Sequence, residues 1–300
     1  MFRRIIVASL LAIYLPVAVH GQEKSLADRI LPLVSAHRGK VAVAVKHLDS
    51  GESFYFDEDV EMPTASLIKF MIMLEVYLQV SEKRVRLDDK LTLRKADMVP
   101  GSGILTYHFS DGATFSLRDA TRLMIVFSDN SATNMVLDHI GLASTNKRME
   151  SWGFTQTKIN AKVFLGNKTS LNPDRTKKFG LGSTTARETL MLLEKAHQGN
   201  VVSHEVCKEM LGHMKKCDDK LKLKRYLPES LTIAHKSGTV SDARTDAGIL
   251  YLPTGPVAIC VLTADNDDKS YKDDNAGNIV IGRIAQQVHE YFMLQSPRKK

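Results

Sequence analysis

The chain has 300 residues, of which 43% are hydrophobic and 25% are charged. This composition excludes a disordered chain and provides a sizeable core, in one large domain or in two that share an interface. The formal net charge is +7. Because the Lys and Arg residues are scattered rather than gathered in one block, we expect no nucleic-acid partner.

Residues 1–21 have the pattern of a secretory signal peptide. Arg3 and Arg4 precede the apolar run Ile5–Val19, which is too short to span a bilayer comfortably. We expect cleavage between Gly21 and Gln22, and therefore a periplasmic or secreted protein without stable membrane insertion. An uncleaved membrane anchor is the alternative.

Strand patterns occur at both ends of the remaining chain. After a short helix over 25–37, residues 41–48 and 53–56 alternate like the two strands of an antiparallel hairpin. Three further β-rich runs, at 231–237, 248–252 and 257–264, precede a long closing helix over 275–293.

The segment between these β regions is mostly helical. Residues 67–80 are apolar on nearly every face, which predicts a buried helix. Further helices are predicted over 117–127, 131–140, 144–152 and 185–197. We therefore predict an α+β fold in which one antiparallel sheet, built from both ends of the chain, is flanked by helices. An α/β lobe (22–63 and 220–300) and a helical lobe (64–219) then form a single catalytic domain over 22–300, with a site in the cleft between the lobes.

The first motif with chemical meaning is Ser66-Leu67-Ile68-Lys69, at the start of the apolar helix. Residues three apart share a helix face, so Lys69 can direct its amine at the Ser66 hydroxyl and activate it as a nucleophile. The motif by itself fits an N-cap serine and a surface lysine better. Its meaning depends on the rest of the chain.

Two further motifs follow in order. Ser128-Asp129-Asn130 comes after a predicted helix and by itself fits a turn or an N-cap. Lys236-Ser237-Gly238 ends an apolar strand. A lysine is unusual on such a strand and therefore indicates a function, and a glycine permits close approach of a ligand. The backbone N–H of Thr239, together with that of Ser66, is a candidate oxyanion hole.

The joint order of S-x-x-K, S-D-N and K-S-G on these elements resembles the penicilloyl-serine transferases, in particular class A β-lactamases and their penicillin-binding relatives. The resemblance covers essentially the whole chain after the signal. It implies a five-stranded antiparallel sheet flanked by helices together with an all-helical lobe. It implies no cofactor, and we find no metal-ligand spacing among the Cys and His residues.

The resemblance also implies roles for eight matching positions. Ser66 is acylated, and Lys69 is its general base. Ser128 relays a proton to the leaving nitrogen, and Lys236 sets the electrostatics near it. The substrate-binding positions are Asn130, Ser237, Gly238 and Thr239.

The chain departs from class A in the loop that carries a glutamate within E-x-x-L-N, the residue that positions the deacylating water. The best sequence match is Lys168-Thr169-Ser170-Leu171-Asn172, which puts Lys168 at the glutamate position. Asp174 is the only acid in the loop itself that is able to substitute. Without a positioned base, we expect deacylation to lose roughly 10²–10⁴-fold in rate.

Three functions stay open. The first is a class A-type serine hydrolase that is acylated by β-lactams or related amides and hydrolyses them. The second is a penicillin-binding-like peptidase acting on D-Ala-D-Ala stem peptides of peptidoglycan with slow deacylation. The third is a cell-envelope binding module without turnover. In each case we expect a monomer that binds a small molecule or a stem peptide.

The chain has three cysteines, and their pairing also stays open. Cys207 and Cys217 flank a predicted helix, so a disulfide between them requires a break in that helix, for example at Gly212. Cys260 lies in an apolar strand, and we expect it to be a buried free thiol.

Overall fold

The computed structural model describes residues 24–295, so the predicted signal peptide lies outside the described residues. Ten strands occur within this range: β1 Lys40–His47, β2 Ser53–Phe56, β3 Met62–Pro63, β4 Lys90–Thr92, β5 Thr114–Ser116, β6 Lys158–Ile159, β7 Gly182–Thr184, β8 Ile233–Val240, β9 Ala243–Leu252 and β10 Gly255–Ala264. The same range contains eleven α-helices: α1 Leu26–Ala36, α2 Ile68–Ser81, α3 Leu105–His108, α4 Leu117–Val126, α5 Asn130–Ile140, α6 Ser144–Ser151, α7 Gly166–Thr169, α8 Pro173–Phe179, α9 Ala186–His197, α10 His204–Met214 and α11 Ala276–Leu294.

The main sheet has five antiparallel strands in the order β2-β1-β10-β9-β8. Pairing of β1 with β10, from Lys40 opposite Ala264 to His47 opposite Val257, joins the two ends of the chain. The prediction of a five-stranded antiparallel sheet built from both ends is therefore confirmed. Strand β8, which carries the K-S-G motif, lies at one edge of this sheet.

Helices cover both faces of the sheet, and the alternation of residues along β1 shows why. Val41, Val43 and Val45 face the cluster that includes α1 and α11, whereas Ala42 and Ala44 face the cluster that includes α2 and α9. Successive side chains of a strand point to opposite faces, so an alternation of Val and Ala gives each face its own packing surface. Small alanines on the second face leave room for α9 to pack close to β1.

Strands β8 and β9 are longer than the sequence patterns predicted, because two glycines lie inside them rather than at their ends. A Cβ at Gly238 would lie 2.5 Å from the Thr64 carbonyl oxygen, and one at Gly248 would lie 2.3 Å from the Ala234 carbonyl oxygen. Each glycine thus permits a close backbone approach within a continuous strand. The short connection at residues 241–242 joins the two strands.

The predicted buried helix is present as α2, and nearly all of its residues are buried. Helices α9 and α10, which fall in the segment predicted as a helical lobe, lie against the sheet as well as against each other. Across residues 24–295, no helix has the length and apolar character needed to cross a membrane. The three cysteines are buried free thiols, Cys260 as expected and Cys207 and Cys217 without a bridge between them.

Candidate active site

Ser66 lies in a single 3₁₀ turn, Ala65–Leu67, that leads directly into α2. In such a turn residues three apart eclipse one another, so Ser66 and Lys69 lie on the same side of the helix start. The Ser66 side chain is half-buried and lines a cavity of about 980 Å³. The sequence motif therefore places one hydroxyl at the cavity wall and one amine directly behind it.

Two residues of the site adopt left-handed backbone conformations although they are not glycines. Ala65 has φ 46° and Ser128 has φ 52°. Each such residue costs about 1–3 kcal/mol, and the surrounding structure must hold it in place. At Ser128 the carbonyl oxygen is held by Lys69 Nζ at 2.7 Å and by Ser102 Oγ at 2.8 Å.

Lys69 is fully buried at the centre of a hydrogen-bond network. Its Nζ donates to the Ser128 carbonyl oxygen at 2.7 Å and to Asn130 Oδ1 at 2.8 Å, and it lies 3.3 Å from Ser128 Oγ. Burial, and then the positive charge of Lys236, hold the pKa of Lys69 well below its ordinary value, against the opposing charge of Asp129. A neutral amine has two N–H bonds, which these two carbonyl acceptors satisfy, and its lone pair is left for a hydroxyl proton.

Lys236 reaches the same hydroxyl from the sheet. Its Nζ donates to Ser128 Oγ at 3.1 Å and to the Ser237 carbonyl oxygen at 2.7 Å, and its side chain is fully buried. Burial lowers the pKa of Lys236, while the negative groups Cys217, Asp219 and Asp246 oppose that shift. Ser128 Oγ thus lies between the amines of Lys69 and Lys236, where a proton can pass across it.

Asp129 of the S-D-N motif attaches a neighbouring loop to the site. Its carboxylate accepts from the backbone N–H groups of Ile104 and Leu105 at 2.7 and 2.8 Å, and also caps α5 through Ala132 N. A Cβ at Gly103 would lie 2.4 Å from that carboxylate, so glycine is required there. The loop over 100–103 lines the cavity through its residues 101–103.

Ser237, predicted to bind substrate, already has a carboxylate partner in the structure. Its hydroxyl donates to Asp219 Oδ2 at 2.7 Å, and Lys222 Nζ donates to the same oxygen at 2.6 Å. Burial opposes ionisation of Asp219, but the charge and hydrogen bond of Lys222 and the hydroxyl of Ser237 hold its pKa below the ordinary value. Asp218 and Asp219 both line the cavity, so this part of the wall is acidic.

Gly238 brings the edge strand β8 against the turn that carries Ser66. A Cβ there would lie 2.8 Å from the Ser66 backbone nitrogen. Thr239 follows at the exposed end of the strand and lines the cavity together with Ser66. The two backbone N–H groups predicted as an oxyanion hole are therefore on adjacent segments of the same cavity.

The loop wall is the part of the cavity formed by residues 161–166 and 176–181. The interpretation that put Lys168 at the water-positioning place in the cleft is wrong. Lys168 is exposed in α7 and does not line the cavity, and neither does Asp174. The segment around Val163, which comes earlier in the chain, reaches the cleft instead. Asn134 holds it there, because its side-chain oxygen accepts from the Val163 N–H at 2.9 Å and its side-chain nitrogen donates to the Val163 carbonyl oxygen at 3.1 Å.

The loop wall contains no carboxylate and no imidazole among its cavity-lining residues. It is lined by Ala161, Lys162, Val163, Phe164, Gly166, Thr176, Gly180 and Leu181. Lys162 is paired with Asp138. Phe164 is 63% exposed with φ 57°, and its ring lies 3.2 Å from where a Cβ of Gly101 would be. The wall is therefore mostly apolar and offers no general base.

The structure brings all eight predicted site residues together, seven on the cavity wall and Lys69 behind it. Two residues of the site were not predicted from the sequence: Asp219, which accepts from the Ser237 hydroxyl, and Val163 at the loop wall. No local pattern marks these two residues, because their place depends on how separate loops meet. Within residues 24–295, no group of His, Cys, Asp or Glu side chains is arranged to hold a metal ion.

Comparison with known proteins gives consistent relatives over most of the chain. The Beta-lactamase enzyme family matches residues 25–292. The chain is 24% identical to β-lactamase BRO-1 of Moraxella catarrhalis over 81% of this chain and 77% of that protein. It is 25% identical to a β-lactamase of Bacteroides uniformis over 91% and 93% of the two chains.

Solved structures similar to this chain include a β-lactamase and a PBP-A. A β-lactamase of Sphaerobacter thermophilus superposes with a TM-score of 0.79 at 27% identity, covering 90% of this chain and 99% of that one. PBP-A superposes with a TM-score of 0.78 at 29% identity, covering 90% and 96% of the two chains. A point variant of PBP-A, solved as an acyl-enzyme complex with penicillin G, superposes with a TM-score of 0.76 at 28% identity and covers 90% and 97%.

A five-stranded antiparallel sheet flanked by helices, with a serine and a buried lysine at the start of a central helix, defines a member of the penicilloyl-serine transferase superfamily. Within that superfamily, the chain belongs to the β-lactamase enzyme family, as a serine β-lactamase-like hydrolase.

Proposed function

We propose that this chain is an exported serine hydrolase of the class A type that β-lactams or related amides acylate at Ser66, and that it releases the acyl group slowly. The observation that carries the proposal is Lys69, a buried amine of lowered pKa one turn from Ser66 and bonded to Ser128 and Asn130. The signal-peptide pattern of residues 1–21 supports export.

Acylation follows from the hydrogen-bond network. Neutral Lys69 accepts the Ser66 proton as Ser66 Oγ attacks the amide carbonyl carbon. The developing oxyanion is stabilised by the backbone N–H groups of Ser66 and Thr239 at the N-terminal end of α2. The C–N bond breaks, and Ser128 Oγ gives its proton to the leaving nitrogen while the proton on Lys69 replaces it. Lys236 stays close to Ser128 Oγ and stabilises negative charge there.

Deacylation requires a base that removes a proton from water near the ester. The loop wall offers Val163 and Phe164 at the cavity, with no carboxylate beside them. Loss of a positioned base costs about 10²–10⁴-fold in rate. We therefore propose an acyl-enzyme that forms readily and persists.

The same apolar wall favours a second candidate, a penicillin-binding-like peptidase that cleaves D-Ala-D-Ala stem peptides. PBP-A is 29% identical to this chain over nearly all of its own length, which supports the comparison. A binding module without turnover is the less favoured candidate, because it would not need the low pKa of Lys69.

One experiment distinguishes the candidates. The chain without residues 1–21 is incubated with a chromogenic cephalosporin, and its intact mass is followed with absorbance. A stoichiometric adduct that Ser66→Ala removes, with slow colour formation, supports the proposal. Rapid turnover without an adduct contradicts slow release, and neither adduct nor turnover contradicts acylation by β-lactams. A parallel assay with a D-Ala-D-Ala peptide tests the second candidate.

A further inference from the structure

Three side chains that the proposed mechanism does not use form a relay behind Lys236. His235 Nδ1 donates to the Asp246 carboxylate at 2.9 and 3.1 Å, and both side chains are fully buried. Gly248 makes room for this ring, because a Cβ there would lie 2.5 Å from His235 Cβ. Among the described residues, Nε2 of the same ring has no hydrogen-bond partner although it is buried. A fully buried ring nitrogen without a partner calls for an explanation.

Cys217 is a side chain that interacts with this ring. The charge of His235 acts on the Cys217 thiol together with a side-chain interaction between the two groups. Since Nδ1 is held by Asp246, Nε2 is the nitrogen left for the thiol. Asp246 therefore orients His235, and His235 is directed at Cys217, an arrangement that activates a cysteine nucleophile.

The electrostatics around Cys217 favour the thiolate. Burial raises the pKa of the thiol, but the charge and contact of His235, and then the charge of Lys236, bring it below the ordinary value against the opposing charge of Asp246. In turn burial lowers the pKa of His235, but Asp246 and Cys217 raise it to about 10. The imidazole of His235 and the thiol of Cys217 therefore each favour the charged form of the other.

Cys217 also lies where a small molecule can reach it. It is 4% exposed and lines the cavity that contains Ser66, Ser128 and Lys236. Cys207 and Cys260 lie in the hydrophobic core and do not line that cavity. Asp218 and Asp219 come directly after Cys217 on the cavity wall; because Lys222 pairs with Asp219, we expect Asp218 to be the carboxylate that attracts a cation at the thiol.

We propose that Cys217 is a second covalent site in this cleft, a thiolate that exchanges with small disulfides carrying an ammonium group. The Cys217 sulfur attacks one sulfur of the disulfide, a new S–S bond forms, and the other half leaves as a thiolate with the electron pair of the broken bond and takes a proton from water. The ammonium group of the bound half lies near Asp218.

The adduct has a consequence that rests on the proposed function. A group bound to Cys217 occupies part of the cavity that Ser66, Lys236 and Ser237 also line. It therefore prevents acylation at Ser66 until a thiol reductant removes it. The site thus makes acylation dependent on the thiol–disulfide balance outside the protein.

The test uses cystamine on the folded chain at neutral pH, followed by intact mass and peptide mapping. We expect one adduct, on Cys217, that dithiothreitol reverses and that Cys217→Ser prevents. Cys207 and Cys260 in the same molecule are the matched controls and should react only after denaturation. No adduct at Cys217, or equal labelling of the three thiols in the folded chain, overturns the proposal.

Two further experiments test the contribution of His235 and the attraction of the ammonium group. His235→Gln should slow the reaction about three- to fourfold for each unit by which it raises the thiol pKa, measured below that pKa, because the smaller thiolate fraction is partly offset by a more nucleophilic thiolate. If this variant does not fold, the pH dependence of labelling is measured in the unchanged chain instead. A labelling rate that falls between pH 8 and pH 7 as steeply as the rate of an ordinary thiol excludes the relay. Cysteamine is also the better leaving group, so the ratio of the cystamine rate to the rate with uncharged 2-hydroxyethyl disulfide should be larger at Cys217 than for a small uncharged thiol in solution, and equal ratios exclude a role of the carboxylate.

The block of Ser66 acylation by the Cys217 adduct is measured separately. Cystamine-treated and untreated chains are exposed to a fluorescent penicillin. Loss of fluorescence labelling that dithiothreitol restores supports the block, and full labelling of a chain whose mass shows the adduct overturns it. Failure of the untreated chain to label counts against acylation at Ser66, whereas the cystamine mass shift still decides the thiol site.

Discussion

The two sides of the cavity differ in how much chemistry they carry. On one side, Lys69 and Lys236 are fully buried and reach Ser128 from a helix and from the sheet. On the other side, the loop wall presents Val163 and Phe164. Burying an amine costs free energy unless it is hydrogen-bonded, so two buried amines on the first side indicate a functional site. The loop wall on the second side only closes the cavity. The difference indicates that forming an acyl-enzyme and releasing it are separable properties of this fold.

Ser66→Ala gives the largest expected effect, because it removes the acylated atom. The variant should form no covalent adduct with a β-lactam, measured by intact mass. The Ser66 side chain is half-buried at the cavity wall rather than packed in the core, so the unfolding temperature should change little. An adduct of unchanged mass in this variant would show that a different residue is acylated.

Lys69→Met should slow acylation by about 10²–10⁴-fold, since it removes the base. In the unchanged chain only the neutral amine acts, so the acylation rate should fall as pH falls through the Lys69 pKa. Because burial and Lys236 lower that pKa, activity should persist well below the ordinary range of a lysine. Stopped-flow acylation from pH 5 to pH 10 measures both effects. Lys69→Arg is the matched control that keeps a charge without a base. A flat pH profile would exclude Lys69 as the base.

Val163→Glu tests the loop wall directly. The backbone of Val163 is fixed by Asn134, so a glutamate there would place a carboxylate at the cavity. We expect deacylation to become up to about 10²-fold faster, read from the decay of the adduct mass. Val163→Gln has nearly the same shape and no base, and it should leave the decay unchanged. Equal acceleration by both variants would point to altered packing rather than to base catalysis.

Asp219→Asn should have the smallest effect. It removes one negative charge beside Ser237 and keeps an acceptor for the Ser237 hydroxyl. A carboxylate substrate should then acylate about fivefold faster, the effect of about 1 kcal/mol of relieved repulsion. A cephalosporin with an esterified carboxylate is the matched control and should not discriminate between the two proteins. If both substrates respond alike, charge is not the cause.

The sequence predicted those parts of the molecule that local patterns encode. The strand alternation of 41–48 and the apolar run of 67–80 correspond to β1 and α2. Ser66 and Lys69 were recognisable because their spacing follows the helix period. The functional meaning of these two residues came from the order of three motifs, and no single motif carried it.

What the sequence did not predict depends on contacts between distant loops. The match of Leu171-Asn172 put Lys168 in the cleft, whereas the hydrogen bonds of Asn134 bring Val163 there instead. Ser237 was expected to be free for a substrate, but a loop that precedes its strand supplies Asp219 as its partner. Neither contact is indicated by a periodic pattern or by the composition of the sequence.

In this cavity Lys69 and Ser128 form a hydrogen-bond network suited to acylation, whereas the loop wall has no carboxylate to activate the water for release. The most direct test mixes the chain without residues 1–21 with a small excess of penicillin G and follows intact mass from seconds to hours. We predict one adduct, mapped to Ser66, that forms within the first minutes and decays far more slowly than it forms. Complete hydrolysis of the penicillin with no accumulated adduct at any time would contradict the account.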